Sequence, residues 1–123
     1  MERIQEGQPF TIFIESANTP AQLEKIFRHI RKLLPKDSKI FGVLSQSQKK
    51  KSLEEKLMRI SMRYCDTLYF APCSGSEESK QMIFEKAFRR ADFGDCVLIL
   101  GSGEGSTARE AARQVAYELD LID

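Results

Sequence analysis

Short β-rich runs alternate along the chain with longer stretches in which apolar residues recur every three or four positions, the two periods that separate strand from helix. Residues 10–14 predict the first strand. Thr19 then stands where an N-cap belongs, with Pro20 in the first turn and Gln22 at the capping-box spacing. Leu23, Ile26, Phe27, Ile30, Leu33 and Leu34 form one apolar stripe, and Pro35 ends that helix. A second strand is predicted at 39–44, followed by a helix headed by Ser52 and Glu55 that turns Leu53, Leu57, Ile60 and Tyr64 inward. Residues 67–71 predict a third strand. The next helix runs to about Arg90 and buries Ile83, Phe84, Ala87 and Phe88. The Gly94-Asp95 turn opens a fourth strand at 95–100. A last helix, capped by Thr107 with Glu110 three residues later, buries Ala108, Ala111, Ala112, Val115 and Leu119.

Strand and helix in strict alternation predict a Rossmann-like, three-layer α/β domain, a mostly parallel sheet with helices on both faces, because each helix is a right-handed crossover. In such sheets ligands bind outside the carboxyl ends of the strands. Four loops fall there, at 15–19, 45–51, 72–76 and 101–106.

Composition narrows the class. The chain has 123 residues, enough for one domain, and 19 basic against 18 acidic side chains give a net charge of +1, without the basic excess of nucleic-acid binders. Its longest apolar run, 96–100, is far short of a membrane span, and the first nine residues are not a secretory signal. Cys65, Cys73 and Cys96 are odd in number, lack CxxC spacing and share the chain with one histidine, which fits a reduced cytoplasmic compartment without a disulfide framework or zinc site. There is no P-loop and no G-x-S-x-G.

Among the loops, Gly101, Gly103 and Gly105 would let backbone approach an anion ahead of a helix start, although G-x-G-x-G after the last strand is also a tight turn without a ligand. The run Lys49, Lys50, Lys51 reads as a solvated charge cluster, with attraction of a phosphate or carboxylate as the alternative. His29, among Arg28, Arg31 and Lys32, reads as a surface residue, and Cys73 as a passive thiol.

Three segments resemble Mur ligases of the MurE type. Met1-Glu2-Arg3-Ile4 followed by a strand and Glu15-Ser16-Ala17-Asn18-Thr19-Pro20 is similar to that family's G-R-M-E-x-I and D-Y-A-H-T-P. Ile40-Phe41-Gly42 resembles its V-F-G, and the segment from Gly94 to Glu104 its G-D-x-V-L-x-A-G-K-G-H-E. The resemblance implies the C-terminal domain of a three-domain, ATP-dependent amide ligase that adds an amino acid to a UDP-muramoyl peptide in peptidoglycan synthesis. Residues 1–123 would then be a single domain excised from a longer chain and inactive alone. ATP and Mg2+ would serve the full-length enzyme and none would be bound by the isolated domain. Its partners would be the central and N-terminal domains, the UDP-muramoyl peptide and the amino acid, with neither nucleic acid nor membrane. By the same resemblance Asn18, Thr19, Ser45, Ser74, Gly101, Ser102, Gly103 and Glu104 would line the substrate or nucleotide cleft.

The chain departs from the family where charge is used. Asn18 replaces the His of D-Y-A-H-T-P, and 44–48 lack the Arg and both acids of G-G-D-R-D. Residues 72–75 stand for D-N-P-R without its Asp or Arg, Ser102 and Glu104 hold the Lys and His positions of G-K-G-H-E, and Gly105 stands for its Glu. Each such loss removes a charge-assisted contact typically worth ~1.5–3 kcal/mol, so diaminopimelate recognition should be lost. A diverged, non-catalytic binding or regulatory module is therefore the alternative, and a mononucleotide-binding domain acting through 101–105 is a third.

Overall fold

The computed structural model describes residues 2–45, 51–71, 77–101 and 104–122. Elements follow in the order β1 (Glu2–Ile4), β2 (Thr11–Glu15), α1 (Pro20–Leu33), β3 (Ile40–Ser45), α2 (Lys51–Tyr64), β4 (Thr67–Ala71), α3 (Glu77–Arg90), β5 (Cys96–Leu100) and α4 (Gly105–Ile122). The five strands form one sheet in the order β1-β2-β5-β3-β4. All neighbours are parallel except β1, which runs antiparallel to β2 with Arg3 opposite Phe13.

Alternating side chains divide the core into two layers, as the pleat of a strand requires. Ile12, Ile14, Phe41, Val43, Val97 and Ile99 face one way, onto Phe84, Ala87 and Phe88 of α3 and the alanines and Val115 of α4. Phe13, Ile40, Cys96, Leu98 and Leu100 face the other, onto Leu23, Phe27 and Ile30 of α1 and Leu57 and Ile60 of α2. Strand β5 is buried along its whole length, the condition of a central strand covered on both faces. The three-layer expectation holds.

Five local expectations need correction. Strand β1 was not foreseen, because three residues carry no readable alternation. Tertiary contacts make it: Ile4 is buried, and the carboxylates of Glu2 and Glu6, on and just after the strand, meet Arg109 and Arg113 of α4 at 2.6 and 3.3 Å. Helix α4 starts at Gly105, so Thr107 lies inside its first turn rather than capping it. The main-chain oxygen of Glu104 accepts from the Ala108 N–H at 2.9 Å, which puts Glu104 at the head of the helix. Ser52 likewise falls inside α2, where a helical residue cannot act as N-cap. Leu33, the last residue of α1, and Leu119, in the last turn of α4, are 55% and 38% exposed. The 95–100 strand starts one residue later, since Asp95 is occupied by the turn.

The cap on α1 forms as expected, with the Thr19 hydroxyl accepting from the Gln22 N–H at 3.2 Å. The Gln22 side chain reaches back to the Asn18 N–H at 2.9 Å, one residue earlier than in a standard capping box. At the amino edge of the sheet the Asp95 carboxylate accepts from the N–H groups of Lys39 and Asp92 at 3.1 and 2.9 Å. Gly94 has φ +88°, the left-handed turn that lets this hook form. This acid is engaged by main chain and serves the fold.

Cys65 and Cys96 are free thiols. Burial first, then the neighbouring Asp66 charge, pushes Cys65 up to about 12, and burial pushes Cys96 up to about 12 as well. A raised folded-state pKa contributes stability below the ordinary thiol value near 9 and loses it as pH climbs toward 12. Urea midpoints should therefore fall between those two pH values, less steeply in Cys65→Ala. A midpoint loss of the same slope in that variant would contradict the assignment.

Candidate functional site

Because β2, β3, β4 and β5 run parallel, their carboxyl ends share one edge, with Glu15 opposite Leu100 and Ser45 opposite Ala71. A cavity of about 340 Å³ opens at this edge between the first turns of α1 and α2. The β2–α1 connection supplies Ser16, Ala17 and Asn18, and α1 supplies Leu23. Leu44, Ser45, Phe70, Leu100 and Gly101 come from the strand ends, and α2 contributes Lys51, Glu54, Glu55, Leu57 and Met58. Such a volume is within the range of small-molecule sites, roughly 300–1,000 Å³.

Gly101 is there for proximity. A Cβ on it would lie 2.7 Å from the Ser45 Cβ, inside the distance any side chain tolerates, while its N–H donates to the Glu15 oxygen at 3.0 Å. The ends of β2, β5 and β3 are thus drawn together by the absence of one methyl. Gly101→Ala should destabilise by about 1–3 kcal/mol through overpacking, read as a lower urea midpoint. An unchanged midpoint would mean that the strand ends part freely.

Adjacent to the cavity is a buried polar group. The carboxylate of Glu104, a residue only 5% exposed, accepts from the Ser45 hydroxyl at 3.0 Å and pairs with the Lys80 ammonium at 3.5 Å. Its place at the head of α4 also puts negative charge at the positive end of the helix dipole. Ser45 thereby turns its hydroxyl to Glu104, and the cavity wall it helps form is poorer in available polar groups.

Of the residues singled out from sequence, Asn18, Ser45 and Gly101 meet on the cavity wall. Glu104 bonds to one of them, Ser45, and Thr19 is taken up in capping α1. Ser74, Ser102 and Gly103 lie outside the described residues, as do Lys49, Lys50 and Cys73. His29 is exposed on α1. Sequence reasoning missed Glu54, Leu57 and Met58 as cavity residues, and it missed Lys80. The signal for Lys80 was present: it lies four residues before Phe84 and eight before Phe88, a charge at the head of the inward stripe. Among the described residues no helix is long and apolar enough to cross a membrane.

No family model matches the chain. A UDP-N-acetylmuramyl-tripeptide synthetase from Roseiflexus sp. (strain RS-1) is 30% identical over 136 aligned residues, which cover 86% of this chain. The chain spans 26% of that relative's length. A solved domain from Haemophilus ducreyi 35000HP, assigned as a UDP-N-acetylmuramate:L-alanyl-γ-D-glutamyl-meso-diaminopimelate ligase, superposes with a TM-score of 0.57 at 14% identity. That match covers 96% of this chain and 98% of the solved one. The chain is accordingly homologous to one segment of a UDP-N-acetylmuramyl-tripeptide synthetase and has the α/β fold of a Mur ligase domain.

Proposed function

We propose that the chain is the C-terminal domain of an ATP-dependent amide ligase of peptidoglycan synthesis, adding an amino acid to a UDP-muramoyl peptide, and that alone it has no ligase activity. The observation that carries this reading is the 30% identity to a tripeptide synthetase across 86% of the chain. The cavity at the carboxyl edge supports it, since that edge is where open parallel sheets bind ligands. ATP and Mg2+ would act in the full-length enzyme. In that enzyme the role of this domain would be to bind and to close. Closure over the central domain would exclude water from the activated carboxylate.

A specific observation favours the non-catalytic alternative. The described loop residues carry little of the charge by which relatives would grip a substrate: the wall residues from the strand ends and the β2–α1 connection are all uncharged. The deciding experiment supplies the full-length protein with ATP, Mg2+, a UDP-muramoyl dipeptide and a panel of amino acids. ADP release dependent on both acceptor and amino acid is expected, with none from the isolated chain. No turnover with any amino acid would leave the binding module as the reading.

A further inference from the structure

The two edges of the sheet differ in how they are guarded. β1 is three residues long and carries Glu2 and Arg3, the short, charged form by which natural sheets blunt an edge. β4, at the other edge, is Thr67-Leu68-Tyr69-Phe70-Ala71, without a charge or a proline. It pairs with β3 on one side, and among the described residues no strand pairs with its other side. The Cys96 N–H donates to the Lys39 oxygen at 3.0 Å, so the main-chain groups of Phe41 and Val43 face β5, and those of Ile40, Gly42 and Leu44 face β4. With Phe41 opposite Thr67, the residues that return those bonds are Thr67, Tyr69 and Ala71. The N–H and C=O groups of Leu68 and Phe70 therefore point outward, and Phe70 is 43% exposed.

Both helices beside this edge carry cations on the side that borders it. In α2, Leu57 and Ile60 face the sheet while Glu54 and Met58 face the cavity next to α1. Helical spacing then puts Lys56, Arg59 and Arg63, all exposed, on the flank away from α1 and beside β4. On the other face α3 meets α4 through Arg89, which pairs with Glu118 and with Glu85, and this leaves the exposed Lys86 and Arg90 on its β4 side. The acid that precedes the strand, Asp66, is engaged by the Ile40 N–H at 2.9 Å and by Arg31 at 3.9 Å. We propose that the outer edge of β4 binds an extended acidic segment of a partner protein, which joins the sheet as a further strand. Its main chain pairs with Leu68 and Phe70, and its carboxylates meet the cations of α2 on one face and of α3 on the other. A second copy of the chain fits less well, since two-fold pairing of β4 with itself would set these cations against their own copies.

The test is an amide NMR titration of the 123-residue chain with the peptide acetyl-Asp-Glu-Thr-Val-Thr-Val-Thr-Glu-Asp-amide and with its counterpart carrying Lys at every acidic position. The acidic peptide should give saturable shifts at the Leu68 and Phe70 amides and slow their hydrogen exchange at least about tenfold. It should bind at least about tenfold more tightly than the Lys peptide at low salt, and the gap should close at about 1 M salt, where charges are screened beyond ~3 Å. Arg59→Glu/Arg63→Glu, at exposed positions, should reverse the preference. Phe70→Pro removes one outward N–H and leaves the bonds to β3 in place, so it should abolish the protection at Leu68. If Phe70→Pro does not fold, the charge-reversed variant decides. Equal affinity for the two peptides, shifts on α2 and α3 with Leu68 and Phe70 unmoved, or protection that survives Phe70→Pro would each overturn the proposal. So would sedimentation of the free chain as a dimer with those two amides already protected, which would give the edge to a second copy.

Discussion

Glu104→Ala is expected to lower the unfolding free energy by about 3–5 kcal/mol, because it strands the Lys80 ammonium inside the fold. The two side chains are only 16% and 7% exposed, so neither can recover its hydration when the other is removed. Lys80→Met should be costly for the mirror reason, leaving the Glu104 carboxylate with the Ser45 hydroxyl alone. The double variant Lys80→Met/Glu104→Gln should recover most of the loss, since a buried pair replaced as a unit is often nearly neutral. Urea unfolding of the four proteins closes a double-mutant cycle. Single losses below about 1 kcal/mol would class the pair with solvated surface bridges and deny it a part in shaping the strand ends.

Phe27→Ala should cost a comparable amount, about 3–5 kcal/mol, through a cavity that the surroundings only partly fill. The ring is fully buried and stacks on Tyr64 with centroids 4.9 Å apart and planes 3° from parallel. This stack joins α1 to α2, the two helices whose first turns frame the cavity. The urea midpoint should drop with an unchanged slope, as for a stability loss without a change in the surface exposed. Phe27→Leu should restore much of the stability, and a variant as poor as Phe27→Ala would show that the aromatic geometry rather than volume is at stake.

Much of the architecture was legible because its causes are local. Thr19 caps α1 through a hydroxyl three residues from the N–H that it accepts, so spacing alone predicts it. The two apolar periods located four strands and four helices, and strict alternation placed the carboxyl-end loops, hence Asn18, Ser45 and Gly101, on one edge. Local rules failed where two signals competed. Ser52 and Thr107 both have capping-box spacing, yet α2 and α4 start ahead of them. For α4 the reason is visible: Glu104 is held by Ser45 and Lys80, 59 and 24 residues away in sequence.

Strand order and the third dimension of the site arise from pairings between distant residues. β5 sits between β2 and β3, although it follows both in the chain. That insertion brings Gly101 against Ser45, which the glycine's neighbours in sequence do not foretell. The three residues of β1 become a strand through pairing with β2, burial of Ile4 and the ion pairs of Glu2 and Glu6 with Arg109 and Arg113. Periodicity records which face of an element avoids water, and it is fixed by residues three or four positions apart. Which elements meet depends on side-chain fit and charge pairing across the chain, and those exist only once the sheet has formed.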